Sequence, residues 1–320
     1  MTTTVVATAY GDPDVLALVE VSLADPGPGE VALRVRAAGT NPVDLKRYSG
    51  AMGSDPSQLP MRLGFEAAGV VTAVGPSADG SPVAGPAGPL SVGDEVIAFR
   101  IDGAYAADVV VPGSAVLPKP AALSFEQASG LMLTGATAVH ALTATGVSDG
   151  DTVVVHGAAG GVGLMVVQLA VGAGARVIGT AAEGQHGRLR ELGAEPVVYG
   201  SGLVERVREL APDGVDVALD MVGTDEALEA SVELVADRHR IATIAGFARA
   251  PELGIQALGG GPGADPGTAV RDAARLQLVR RAEAGELTVD VVAVHPLAEA
   301  AAAHRALAGG HTHGKIVLVP

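Results

Sequence analysis

The chain contains no cysteine and no tryptophan, and its aromatic side chains amount to four tyrosines and four phenylalanines. Without cysteine there can be no disulfide, no thiol nucleophile and no cysteine-ligated zinc. So few aromatic rings leave a flat ligand little to stack on, with Tyr48, Phe65, Phe99 and Phe247 as the candidates; Phe65 is expected in the core. Positive charge is also scarce: 21 Lys and Arg against 36 Asp and Glu give a formal net charge of -15. An acidic surface with no basic run repels nucleic acid and anionic membranes, so neither is expected as a partner. The start, MTTTVVATAYGDPD, lacks the basic and apolar regions of a secretory signal, and a cytoplasmic protein is expected.

What the sequence has in abundance is apolar residues, 48%, punctuated by 44 glycines and 20 prolines. At 320 residues it exceeds a usual single core, so two domains are expected. The stretch from Thr152 to Ala175, TVVVHGAAGGVGLMVVQLAVGAGA, is uncharged over about the length of a bilayer span, but its glycines, histidine and glutamine argue against one. Val153, Val154 and Val155 read instead as a strand buried on both faces. Gly157, Gly160, Gly161 and Gly163 permit a tight turn and a close backbone approach, and the apolar spacing from Val162 to Val171 predicts a helix. The free amides at that helix start suit a phosphate. Ala158, Gly160 and Gly163 fill the glycine places of the dinucleotide fingerprint, with Ala159, Gly161 and Val162 between them.

Upstream, EVALRVRAAG, AAGVVTAV and AADVVVP read as short strands of a barrel-like, mainly-β unit, with a loop over 75–90. From about Asp149 strands and helices alternate. Strands are predicted over 153–156, 176–180, 196–198, 215–219 and 240–245, and helices over 162–171, 187–192, 203–210 and 226–235. This is α/β, a Rossmann-type doubly wound parallel sheet. A tail helix over 271–284, a strand over 289–294, a helix over 297–308 and a strand over 315–319 are expected to rejoin the first domain. The boundaries are then 1–122 with 265–320 for the barrel-like domain and 123–264 for the nucleotide domain.

Several blocks in order, among them PGPGEVALRVRAAGTNPVDLKRYSG, LGFEAAGVVTAVG, LMLTGATAVHAL, VVVHGAAGGVGLMVVQLA and HGKIVLVP, resemble the medium-chain dehydrogenase/reductase superfamily in its zinc-free quinone oxidoreductase branch. The resemblance implies a GroES-like catalytic domain, an NADP-dependent hydride transfer and an active site between the domains. Zinc-dependent relatives place a histidine where this chain has Phe65 before Glu66, and a cysteine near Thr40 and Asn41, so both family zincs are expected to be absent. The implied acceptor is a quinone or an α,β-unsaturated carbonyl. An enoyl thioester reductase and a non-catalytic NADPH-binding protein are the alternatives.

By the same resemblance, Asn41 bonds the cofactor or a substrate carbonyl, or only shapes a turn before Pro42. Thr137 faces the nicotinamide or only bonds its own helix, and Tyr48 is a cleft donor or only covers an apolar edge. Val222, Gly246 and Phe247 lie on loops passing the nicotinamide. At the end of the second strand Thr180, Ala181 and Ala182 hold the place of an NAD-type carboxylate, so a 2′-phosphate is favoured, with His186, Arg188 and Tyr199 beside it. Glu183 opposes that preference. His311, His313 and Lys315 stand near a basic position of the family, and Lys315 is taken as a cofactor contact. His156 is expected to be a packed strand-end residue and Asp220 a loop-fixing carboxylate. A homodimer joined at the sheet edge over 253–260 is expected.

Overall fold

The computed structural model describes residues 1–77, 80–310 and 312–320. The chain divides into two units, Met1–Leu133 with Arg275–Pro320, and Thr134–Ala274. Both divisions fall later than 122/123 and 264/265. The first moves because the helix Phe125–Ala128 packs on the strands Glu30–Gly39 and Glu66–Val74 of the first unit. The second falls inside the helix Thr268–Glu283.

The first unit is mainly β. Its seven-stranded sheet runs in the order Val116–Pro118, Glu95–Phe99, Glu66–Val74, Glu30–Gly39, Lys315–Val319, Val291–Pro296, with Asp108–Pro112 also paired to Glu30–Gly39. The last strand of the chain thus lies against the third, Val317 opposite Gly39, within the first unit. A three-stranded sheet is built on Thr2–Ala7. Val31, Leu33, Val35, Leu63, Val71, Val96, Val116 and Leu318 pack in one buried cluster, so alternate residues of these strands make the core. The expected loop over 75–90 contains a small hairpin, Ala84–Gly85 with Gly88–Pro89, while Ala78 and Asp79 lie outside the described residues. Gly85 permits it because a Cβ there would meet Val116 O at 2.3 Å.

The second unit is a parallel sheet of six strands. Its spatial order is Glu195–Val197, Arg176–Thr180, Thr152–His156, Val217–Asp220, Ile241–Thr243, Gln256–Ala257. The first strand in sequence is therefore central, and the connections depart from it in both directions, the switch point at which open α/β sheets bind ligands. The valines Val153, Val154 and Val155 are fully buried because helices cover the sheet. Helices Gly161–Gly172, His186–Glu191, Leu203–Leu210 and Asp225–Leu234 fall within one or two residues of expectation. The strands after 215 and 240 are shorter than predicted. The first begins two residues late, at Val217, and runs one residue past expectation to Asp220, while the second stops two residues early at Thr243, whose hydroxyl accepts from loop amides.

Candidate functional site

The glycine turn sits at the carboxyl end of the central strand. Gly157 has φ +70°, a left-handed conformation that favours glycine, and its amide donates to Thr180 Oγ1 at 3.2 Å. A Cβ on Gly163 would lie 2.2 Å from Gly157 O, so only glycine lets the helix start fold against the turn. That helix opens with Leu164 N donating to Gly160 O, which leaves the amides of Gly161, Val162 and Gly163 ahead of the ladder, and no side chain caps them. Three amides on a twelve-residue helix make an anion receptor, and a dinucleotide pyrophosphate fits it. Ala158 and Ala159 are buried between turn and sheet, and Ala158 fits because the second strand offers Gly179, where a Cβ would stand 2.8 Å away.

At the end of the second strand Thr180 is buried and holds the glycine turn, and Ala181 and Ala182 follow with no carboxylate. His186 Nε2 lies 3.2 Å from Ala181 O, and Arg188 Nη1 donates to Glu191 Oε2 at 3.2 Å. Tyr199 is exposed on the neighbouring loop. Arg206 holds that loop, donating to Val198 O, Gly200 O and Ser201 O at 2.8 to 3.2 Å. On the other side of the switch point Val222 is exposed, Gly246 buried and Phe247 half-buried. Thr137 is buried in the helix Leu131–Ala144.

In the first unit the expected site residues are engaged within the fold. Lys315 Nζ donates to Asn41 Oδ1 at 2.7 Å, Thr40 O at 2.8 Å and Glu66 Oε1 at 3.0 Å, which engages its three protons within the fold. Asn41 is 1% exposed, and its Nδ2 donates to Glu66 Oε1 at 3.0 Å and Gly39 O at 3.3 Å, so both ends of the amide are committed within the fold. Glu66 Oε2 accepts from Leu133 N at 2.9 Å. Tyr48, expected as a cleft donor, is fully buried with its hydroxyl 2.9 Å from His304 Nδ1. Phe65 is only half-buried, with the Arg47 guanidinium 5.1 Å above its ring. His311 lies outside the described residues.

The bonds around His304 have one consistent direction. Tyr105 OH donates to Asp44 Oδ2 at 2.8 Å, so its oxygen accepts from His304 Nε2–H at 3.1 Å, and Nδ1 is left to accept from Tyr48. Burial lowers His304 to about 4, which keeps the ring neutral as this tautomer requires. Asp44 also accepts from Asn41 N and Gly64 N; burial raises it to about 6 against the pull of Tyr105, those amides and Lys315.

His156 and Asp220 stand opposite each other in the parallel register. His156 is buried with neither ring nitrogen bonded, and burial pushes it well down, against the Asp220 charge. Asp220 fixes its loop as expected, accepting from Val222 N at 3.0 Å and Gly223 N at 2.9 Å. The pairing of Glu66 with Lys315, and the roles of Arg206, His304 and Thr243, escape sequence reading. Lys315 and Glu66 are 249 positions apart, and nothing in either residue's own block points to the other.

Comparison with known proteins agrees with this geometry. The alcohol dehydrogenase GroES-like domain matches residues 27–121, and the zinc-binding dehydrogenase family matches residues 192–318. The quinone oxidoreductase of Pseudomonas aeruginosa is 36% identical, over 98% of both chains. The chain belongs to the medium-chain dehydrogenase/reductase superfamily, in its quinone oxidoreductase-like branch. A 2-haloacrylate reductase of a Burkholderia species is 33% identical, over 97% of this chain and 96% of its own. The crystal structure of Escherichia coli quinone oxidoreductase complexed with NADPH superimposes with a TM-score of 0.83 at 28% identity, over 99% of this chain and 100% of that one. As an oxidoreductase of this superfamily, the chain carries its nucleotide domain in the second unit and its GroES-like domain in the first. Among the described residues no helix is long and apolar enough to cross a membrane.

Proposed function

We propose that this chain is an NADPH-dependent reductase of quinones or α,β-unsaturated carbonyls that works without zinc. The observation that carries the reading is what replaces the metal ligands. Phe65 takes the histidine place beneath Arg47, Glu66 beside it is spent on Lys315, Asn41 and Leu133, and there is no cysteine anywhere. A site with no Lewis acid cannot readily stabilise an alkoxide, which turns the chemistry toward acceptors whose own conjugation spreads the incoming charge. Relatives named for quinones and for a 2-haloacrylate point the same way.

Bound at the glycine turn, NADPH supplies a hydride. The chain's part is to hold and orient. The amides of Gly161, Val162 and Gly163 take the pyrophosphate, and Gly157, Ala158, Ala159 and Gly160 give it room. His186, Arg188 and Tyr199 border the adenosine ribose, where Thr180 to Ala182 carry no carboxylate to repel a 2′-phosphate. Val222, Gly246, Phe247 and Thr137 border the nicotinamide half. The proton that completes reduction comes from solvent, since Tyr48, His304, Tyr105 and Asp44 are bonded in series in the core.

Two measurements on the purified protein test this. NADPH at about a hundred times its dissociation constant should stabilise the fold by ~2.7 kcal/mol, and NADH at the same concentration by less. Elemental analysis should find zinc far below one per chain. Stoichiometric zinc, or no thermal response to NADPH, would overturn the proposal.

A further inference from the structure

Two loops of the second unit end on one buried pair that the proposed chemistry does not use. Asp220 closes the fourth strand of the parallel sheet and Thr243 the fifth, and both are fully buried. Thr243 Oγ1 donates to Asp220 Oδ2 at 2.6 Å, the short length of a charge-assisted bond. The remaining capacity of both groups goes to loop amides. Asp220 accepts from Val222 N at 3.0 Å and from Gly223 N at 2.9 and 3.0 Å, while Thr243 Oγ1 accepts from Ala245 N at 3.1 Å and Gly246 N at 2.8 Å. One carboxylate–hydroxyl bond thus ties two strand-end loops together.

The loops are also packed so closely that they must move as one. Gly223 has φ +75°, and a Cβ on it would meet the Ala245 carbonyl carbon at 2.8 Å and Gly246 N at 2.9 Å. Val222 in turn borders the glycine turn, its Cβ standing 3.4 Å from where a Cβ of Gly157 would be. Three successive strand ends, at Gly157, Val222 and Gly246, therefore form one layer whose second and third members are set by Asp220 and Thr243. In a sheet of this order the two halves of a dinucleotide lie on opposite sides of the central strand. The pair sits on the side away from Thr180 and Arg188.

We propose that Asp220 and Thr243 are positioning residues for the nicotinamide half of the cofactor, holding the Val222–Gly223 and Ala245–Gly246 loops in one fixed relation. This rests on the proposed NADPH site. The pair touches no reacting atom; it sets the surface against which the ring lies. Its removal should be felt by a ligand that has the nicotinamide and not by one that lacks it.

The test compares NADPH with 2′-phospho-ADP-ribose, which keeps the adenosine and pyrophosphate but has no nicotinamide, on wild type, Thr243→Val and Thr243→Ser. Thr243→Val keeps the β-branched shape and deletes the hydroxyl. It should weaken NADPH about tenfold, the scale of one charge-assisted hydrogen bond, and leave 2′-phospho-ADP-ribose within about twofold. Thr243→Ser should restore NADPH binding. In the ligand-free protein, amide exchange at all four of Val222, Gly223, Ala245 and Gly246 should quicken together in Thr243→Val. Equal weakening of both ligands, or unchanged NADPH affinity, overturns the proposal, as does faster exchange at Ala245 and Gly246 alone. If Thr243→Val does not fold, Asp220→Asn, of the same shape, puts the same question to the same ligands. Should wild type bind neither ligand, the cofactor reading fails, and the four-amide exchange pattern still decides whether the pair couples the loops.

Discussion

Lys315 is the side chain whose environment departs furthest from what its sequence position suggested. It stands two residues after His313 near the last strand, where a basic residue can reach a cofactor, yet its stem runs past Gly130, where a Cβ would come within 2.9 Å, and its ammonium ends on Glu66 and Asn41. Glu66 is wholly buried, so deleting the lysine leaves a carboxylate with no counter-charge. Lys315→Met should cost about 3–5 kcal/mol of stability, and adding Glu66→Gln should recover much of it. Denaturant midpoints of the single and double variants measure this; a loss under about 1 kcal/mol in Lys315→Met would show that the pair is not coupled. Asn41→Ala should cost about 1–3 kcal/mol, because it strips one partner each from a buried ammonium and a buried carboxylate. Turnover per NADPH-binding site should change little, the opposite of what a donor to the substrate oxygen would show.

At the scale of elements, the turn between the central strand and its helix carries the cofactor reading. Gly163→Ala places a methyl group 2.2 Å from Gly157 O, so the turn must open and NADPH affinity should fall at least tenfold. Arg188→Ala should weaken NADPH more than NADH, because the arginine's share of the site is the 2′-phosphate. Equal loss of both nucleotides would assign the discrimination to Glu183.

These elements were legible because local residue pattern determines them. Val153–Val155 followed by the glycine run forces strand, turn and helix in that order, and the alternation after Asp149 predicts the doubly wound sheet. The end of the fifth strand was not legible, since Thr243 stops it through bonds to the amides of Ala245 and Gly246. Nor was the burial of Tyr48 and Asn41: a block that resembles a family marks a residue's position, while the direction of its hydroxyl or amide depends on His304 and Lys315, more than 250 positions away. The hairpin at Ala84–Gly85 and Gly88–Pro89 was hidden because two-residue strands carry no periodicity.

For the whole molecule, the buried titratable groups set the pH response. His304, lowered to about 4, and His156, lowered by burial, remain neutral in the fold, whereas the unfolded chain protonates both near pH ~6.5. Over that window the unfolded state holds more protons, so these two groups destabilise the fold as pH falls. Asp44 acts the other way. Raised to about 6, it takes up its proton in the fold before the unfolded chain does, and its contribution is lost as pH rises through that value. His140, also buried and lowered by burial, adds to these two, so the histidines outweigh Asp44 and stability should rise with pH between pH ~4 and ~6. Urea midpoints across that range check the slope, and His304→Gln should flatten it.

The central claim concerns what the whole chain does with a hydride: delivery from NADPH to a conjugated acceptor, with no metal. The most direct measurement is NADPH oxidation by the purified protein, dialysed against a strong chelator, with a panel of 1,4-quinones, enones and saturated ketones, and the reverse reaction with simple alcohols. The account predicts turnover with at least one quinone or enone, undiminished by the chelator, and no appreciable reaction with saturated ketones or alcohols. Loss of activity on chelation restored by zinc, or efficient alcohol oxidation, would contradict it.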